Sequence, residues 1–286
     1  MNGEATAPAA ERAGRLDKKA SALVSPPWPV RQAAARDKTI AQLIDRWIYA
    51  FMAALFVATA LVGFVPDSIN QVAAVNAGER PAFPVILHVH ALLMGAWLSL
   101  LLVQTSLAAT GRQALHMKLG LTAFALLPAI VAASYLLVSA SFTSLWSAPV
   151  DLRETKTFAS NVLLSQIRIG LLFPLLVGWA LLARRRDSGL HKRLMILATV
   201  LPLSAGIDRI GWLPTARPES PLADHVWIVV WILPMLAWDI WRSGRIPRAY
   251  VIWAAANLPF IIATHLLWNT PWWLATAPRL MGVAGG

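Results

Sequence analysis

The sequence predicts an all-α protein: a polytopic membrane bundle of seven transmembrane helices, with its N-terminus inside and its C-terminus outside. Three observations predict this fold: 57% of the 286 residues are apolar, only 14% are charged, and the charges cluster between long apolar stretches. A soluble domain carries about 25% charged residues, so a lipid bilayer is the solvent that this composition fits. We therefore expect the bilayer to be the main partner of the chain.

Seven apolar segments are long enough to cross a membrane, because a transmembrane helix needs about 20 mainly apolar residues. The segments are 47–65, 88–110, 119–142, 161–183, 194–213, 224–241 and 249–268. Charges interrupt two of them, since Arg168 lies in the fourth and both Asp208 and Arg209 lie in the fifth.

The distribution of basic residues predicts the orientation. Eighteen of the 25 Lys and Arg residues fall in the N-terminal tail and in alternate loops, and only five fall in the other loops. Cytoplasmic loops carry such an excess of basic residues. We therefore expect a mobile cytoplasmic tail at 1–45, a membrane domain at 46–270 and a short outer-side segment at 271–286.

Several function classes are disfavoured by composition. The net charge of +11 comes from short basic clusters between apolar segments, so we expect no nucleic-acid partner. The absence of Cys excludes disulfides, thiolate metal ligands and a Cys nucleophile. The chain also contains no P-loop, no nucleophile elbow and no HExxH motif, and it offers no catalytic residue.

Ionisable residues converge on one layer in the outer half of the predicted bundle. Such residues are costly in lipid and usually face the bundle interior, where they are paired or functional. The candidates for a ligand, metal or haem site are His88, His90, His225 and His265. The candidates for a polar network are Arg168, Asp208, Arg209, Gln166 and Tyr135. We expect Arg168 to reach Asp208 and one of the first two histidines to approach His265.

The cofactor stays open between haem, a divalent metal and none. Residues i and i+2 of a helix point about 200° apart, so His88 and His90 do not both face one ion on a regular helix. No c-type haem motif is present, so a haem would be bound non-covalently. His116 and His191 form a second, inner candidate pair, and the alternative is that both lie at the lipid interface beside basic residues.

An internal repeat is visible in the sequence. Residues 114–128 (ALHMKLGLTAFALLP) are similar to residues 189–203 (GLHKRLMILATVLPL). Each follows an apolar segment and a basic turn, and each opens the next helix with Leu-His. The two helix pairs would then be duplicates with parallel topology, an arrangement found in transporters.

Four motifs in order resemble an uncharacterised family of multi-pass inner-membrane proteins from proteobacteria. They are HVHALLMGAW (88–97), LAATGRQALHMKLG (107–120), LHKRLMILAT (190–199) and WDIWRSGRIPRAY (238–250). The resemblance covers residues 45 to 277 and implies a bacterial inner-membrane location and a helix count, but no activity. Members often carry a His just before the final helix, where this chain has Ile246 and Pro247.

Three hypotheses for function follow from these features. The first is an accessory subunit of a larger complex in the bacterial inner membrane. The second is a redox protein with a His-ligated haem or metal at the outer leaflet. The third is a transporter of a small anion or protons that uses the Arg, Asp and His cluster.

Overall fold

The computed structural model describes the backbone of residues 28–148 and 152–283, and their side chains from residue 39 onward. The predicted mobile tail therefore lies largely outside the described residues. By its contacts the chain divides into two compact units, and the helix bundle belongs to the second, Trp47–Gly286.

Nine α-helices and no strand occur in the described part of the chain. The helices are α1 (Trp28–Asn76), α2 (Val85–Ala109), α3 (Gln113–Gly120), α4 (Ala123–Trp146), α5 (Arg153–Ala183), α6 (Ser188–Ile207), α7 (Leu222–Ser243), α8 (Arg248–Leu267) and α9 (Pro271–Leu280). Seven spans, with α3 and α4 counted as one and α1 counted from Thr39, are long and apolar enough to cross a membrane. An all-α fold with seven such helices is therefore confirmed.

The two ends of the bundle differ in charge. Helices joined by short loops run antiparallel, so the loops alternate between the ends. Residues 110–112, 184–187 and 244–247 connect helices at one end, which we call the basic end because it carries Arg112, Arg184, Arg185, Arg186 and Arg245. The opposite end holds residues 77–84, 208–221 and 268–283.

Helix α6 is the centre of the bundle. It packs against α5, α7 and α8, and it is the most buried of the seven spans and the least hydrophobic. These two properties belong together, because a helix surrounded by other helices meets little lipid and does not need a fully apolar surface. By contrast, α2 and α4 are the least buried spans and present most of their apolar surface outward.

A buried ion pair locks α6, α7 and α8 together near the basic end. Arg193 of α6 donates two hydrogen bonds to Asp239 of α7, at 2.8 Å from Nε and 2.5 Å from Nη2. The Tyr250 hydroxyl of α8 donates to the same carboxylate at 2.7 Å. Each charged group of this cluster has hydrogen-bond partners, and these bonds offset the cost of burying the charges. The ion pair therefore offers no unpaired charge to a ligand.

The fifth membrane helix begins and ends earlier than its predicted range of 194–213. The Asp187 carboxylate accepts a hydrogen bond from the Leu190 amide at 2.8 Å and caps the helix, which then ends at Ile207. Because the N-cap lies so early, a membrane-length helix is complete before residue 208. Asp208 and Arg209 therefore follow the helix and do not lie within it.

The predicted third segment at 119–142 is built from two helices. Helix α3 ends at Gly120, and α4 starts at Ala123 after a short turn. The predicted C-terminal segment contains a helix of its own, α9, which starts with Thr270 as its N-cap and Pro271 at its first position. Pro is favoured there because its missing N–H would have no helical partner.

The two copies of the sequence repeat make the same contact. The His116 ring nitrogen Nδ1 donates to the carbonyl of Gln104, 12 residues earlier, at 3.2 Å. His191 Nδ1 donates to the carbonyl of Ala180, 11 residues earlier, at 2.8 Å. In both copies the ring thus ties the start of one helix to the end of the helix before it, which supports a duplicated helix pair.

Helices α1 and α6 approach most closely at two glycines. A Cβ atom added to Gly63 would lie 2.0 Å from the backbone oxygen of Gly206. No side chain fits at that distance, so the close crossing requires glycine at this position.

We expect Gly63→Ala to destabilise the bundle by about 1–3 kcal/mol or more, because the methyl group forces the two backbones apart. The measurement is thermal unfolding of the purified protein in detergent. Gly95→Ala is the matched control, since a Cβ at Gly95 in α2 meets nothing within 4 Å and alanine favours a helix. Equal melting temperatures for the two variants would contradict the close crossing.

Candidate functional site

Four helices bring polar groups together near the opposite end of the bundle. Asp208 directly follows α6, Asp224 and His225 lie in the first turn of α7, and His265 lies in the last turn of α8. Arg168 of α5 faces this group and interacts electrostatically with Asp208 and Asp224. The cluster thus combines charges of both signs with two imidazoles.

Arg168 is the most unusual residue of the cluster. Its side chain is 0% exposed, and none of its three guanidinium nitrogens has a hydrogen-bond partner among the described residues. A buried charge normally has partners, and a buried polar group without one requires an explanation such as an ion or ligand. Ser165 lies on the same side of α5, and its buried hydroxyl also has no partner.

Arg217 holds the two carboxylates. Its Nη2 nitrogen lies 2.8 Å from an oxygen of Asp208, and the same nitrogen pairs with an oxygen of Asp224. Asp224 is only 2% exposed, and its second oxygen has no partner among the described residues.

The segment that carries Arg217 is anchored by two tryptophans. Trp227 of α7 donates its indole N–H to the carbonyl of Pro214 at 2.9 Å. Trp268, just after α8, donates to the carbonyl of Pro218 at 2.9 Å. The guanidinium of Arg217 also lies over the ring of Phe158, 5.9 Å from its centroid. These contacts hold Arg217 over the carboxylates although it lies outside any helix.

The two imidazoles of the cluster bind each other. His225 Nδ1 and His265 Nε2 are 3.1 Å apart, so one ring donates and the other accepts. This distance is in the range of an N–H···N hydrogen bond between the two rings. His225 is buried and its Nε2 has no partner among the described residues, whereas His265 is exposed.

The surroundings favour the protonated form of Asp208. Its side chain keeps only 18% of its surface exposed. Burial, followed by the neighbouring Asp224 carboxylate, raises the pKa of Asp208 to about 7, although Arg217 acts in the opposite direction. This carboxyl therefore changes its charge near neutral pH.

The structure places the other predicted histidines elsewhere. His90 donates to the Ser134 hydroxyl of α4 at 3.3 Å, while that hydroxyl donates to the carbonyl of Ile130. His88 is exposed and lies edge-on to the ring of Phe83. Neither histidine is paired with His265 among the described residues, and their helix packs mainly against α3 and α4.

Three members of the predicted polar network also lie outside the cluster. Tyr135 is 68% exposed on the outer surface of α4. Arg209 turns toward α1 and pairs with Asp67 at 3.0 Å. Gln166 is two residues from Arg168 and therefore on another side of α5, where its oxygen has no partner among the described residues. The expected pairing of Arg168 with Asp208 is replaced by that of Arg217 with Asp208.

The inner pair behaves as a structural feature. His116 and His191 interact electrostatically, but each uses Nδ1 to bind a carbonyl of its own helix pair. No group of three or more potential metal ligands of the His, Cys, Asp or Glu types occurs in the described part of the chain.

Sequence reasoning missed Arg217 and Asp224 as members of the cluster. The sequence indicates Asp224 only as the first residue of a predicted helix, and Arg217 only as one of the five basic residues of the other loops. The signal that could have found them is the pair of prolines at 214 and 218 around Arg217, because prolines restrict a loop and hold a side chain in place.

Comparison of the chain with protein-family models, curated proteins and solved structures finds no match. The chemistry of the site is therefore argued from its own geometry.

We expect the stability of the protein to fall as the pH rises from about 4 to about 7. Asp208 binds its proton more tightly in the folded chain than in the unfolded chain, so the unfolded state ionises first. The shift of about three pH units corresponds to on the order of 4 kcal/mol. The measurement is the melting temperature in detergent as a function of pH.

Asp208→Asn removes this titration and should flatten the curve. Asp187→Asn is the matched control, because it removes an aspartate at the basic end that pairs with Arg248, and asparagine also caps a helix. A wild-type curve with the same slope as Asp208→Asn would contradict the raised pKa of Asp208.

Proposed function

We propose that this protein is a membrane transporter for a small anion, and that Arg168 is the residue that binds the anion. The observation that carries the proposal is the burial of Arg168 with all of its guanidinium nitrogens unpartnered among the described residues. A guanidinium offers five N–H donors in a planar fork that suits carboxylates and similar anions. In a site with little water, such a group binds an anion strongly.

Nearby groups complete an anion site. The His225 Nε2 and the Ser165 hydroxyl are both buried without partners, and both can donate hydrogen bonds to an anion. His265 is exposed, so the cluster is connected to the outside of the bundle at this residue. Arg217, Asp208 and Asp224 form the other side of the cluster.

The protein in this proposal lies in the bacterial inner membrane with its N-terminus in the cytoplasm. The basic end then faces the cytoplasm, as the excess of Lys and Arg in its loops favours. The anion site would be reached from the outer side. The predictions of an accessory subunit and of a haem or metal redox protein remain predictions.

We expect nitrate and lactate to raise the melting temperature of the wild-type protein, because a ligand that binds only the folded state stabilises it by mass action. Arg168→Gln should abolish this shift, since glutamine has no charge and no guanidinium fork. The measurement is tryptophan fluorescence during thermal unfolding, with the total ionic strength held constant.

Arg80→Gln provides the matched control. It also removes an arginine at the opposite end, but one that donates to Gln71 of α1 and is not among the groups that face Asp208. This variant should keep the response to nitrate. An equal response in Arg168→Gln would show that Arg168 does not bind the anion. Transport would be overturned if proteoliposomes containing the protein took up lactate no faster than protein-free vesicles.

Reporter fusions test the orientation, because a reporter is active only on its own side of the membrane. Fusions in the successive loops should alternate outside and inside, starting outside, as the excess of basic residues at the basic end predicts. The fusion positions are Arg80, Gly111, Ser147, Arg186, Thr215 and Arg245. Two neighbouring fusions on the same side would disprove this topology.

A further inference from the structure

We infer that the anion binds together with one proton, that the proton is held by the Asp208 and Asp224 carboxyl groups, and that the substrate is a planar monovalent anion. This inference rests on the proposed anion site at Arg168. It adds the charge of the substrate and the coupled ion, which the proposed site alone does not specify.

The balance of charges in the cluster is the first argument. The charged and titratable groups that face Asp208 come from every element packed there. They are Arg168 from α5, Arg217 from the loop, Asp224 and His225 from α7, His265 from α8, and Arg209 beside Asp208. Arg209 is neutralised by Asp67, and the two imidazoles share one hydrogen bond.

Arg168 and Arg217 then supply two positive charges, and Asp208 and Asp224 supply two negative charges. The empty site is neutral when both carboxyl groups are ionised. A monovalent anion on Arg168 would leave one uncompensated negative charge in a poorly hydrated place, which is costly. One proton on a carboxylate restores neutrality, so binding of the anion favours uptake of the proton.

The geometry of the carboxyl groups is the second argument. Both groups pair with the same nitrogen of Arg217, so their oxygens are neighbours and their negative charges repel each other. The second oxygen of Asp224 is buried without a partner among the described residues. Two carboxyl groups at such close range share a proton readily. The proton comes from water and binds a carboxylate oxygen, and no electron is transferred.

The balance of charges in the cluster also indicates which class of anion binds. A divalent anion such as sulfate would need two protons, and the cluster has only one pair of carboxyl groups that share a proton. A planar anion matches the fork of Arg168 with two parallel hydrogen bonds. Nitrate and small monocarboxylates fit both conditions.

The test measures proton uptake on addition of nitrate to the purified full-length protein in detergent, with a pH indicator in weak buffer. We expect one proton per bound nitrate at about pH 8.5 and none at about pH 5.5, where Asp208 is already protonated. The nitrate Kd should rise about tenfold per pH unit above neutrality. Sulfate should bind more weakly and not displace nitrate.

Asp208→Asn imitates the protonated carboxyl, so it should bind nitrate with the same Kd at every pH and take up no proton. Asp187→Asn is the control, because Asp187 lies at the basic end and pairs with Arg248, and it should behave as the wild type does. Proton uptake that persists in Asp208→Asn would place the proton elsewhere and overturn the inference.

A measurement on the wild type alone is independent of whether Asp208→Asn folds. Nitrate addition at about pH 8.5 should produce the infrared band of a protonated carboxyl group, because the carboxyl group that gains the proton becomes neutral. Nitrate binding without this band and without proton uptake overturns the inference but leaves the anion site in place. A wild-type protein that binds no nitrate or lactate overturns the proposed function itself.

Discussion

The cost of removing a charge from water governs how helices α5 to α8 pack. Each of these four helices carries at least one charged side chain inside the bundle or at its margin, and none of those charges can face lipid without a large penalty. Near the basic end the buried charges are paired, because Arg193, Asp239 and Tyr250 form hydrogen bonds with one another. Toward the opposite end one buried charge is left unpaired, because Arg168 is fully buried and its nitrogens have no partner among the described residues. The contrast between a satisfied cluster and an unsatisfied one distinguishes a structural ion pair from a site.

Much of the fold was predictable because the physics of membrane helices is local. A stretch of about 20 apolar residues predicts a membrane helix whatever surrounds it. The helix that contains Arg168 and the helix that ends just before Asp208 are both present. The boundary of α6 was not predictable from hydropathy, because Asp187 caps the helix seven residues before Leu194, where the predicted apolar segment begins. The break after Gly120 was also missed, because the residues directly beside it, Leu119 and Leu121, are both apolar.

The site was predictable as a list of residue types, but not as a set of contacts. Depth along a helix is computed from the sequence, and it correctly places Arg168, His225 and His265 near one another in height. Which way each side chain points depends on helix rotation and on neighbours, and these are tertiary properties. His90 therefore reaches Ser134 of the neighbouring α4, and Arg209 reaches Asp67. Arg217 was missed because a loop position has no periodicity, and only tertiary contacts such as those of Trp227 and Trp268 hold it in place.

The duplicated helix pair limits the conformational changes by which the bundle could open to either side of the membrane. His116 and His191 make the same contact at the same end of the bundle, so the two copies run in the same direction. Transporters with inverted repeats open to either side by exchanging the conformations of two halves. A same-direction duplication offers no such exchange, because both copies present the same face to the same compartment. In the proposed transporter the two faces would therefore be inequivalent, and opening to each side would need different moving parts.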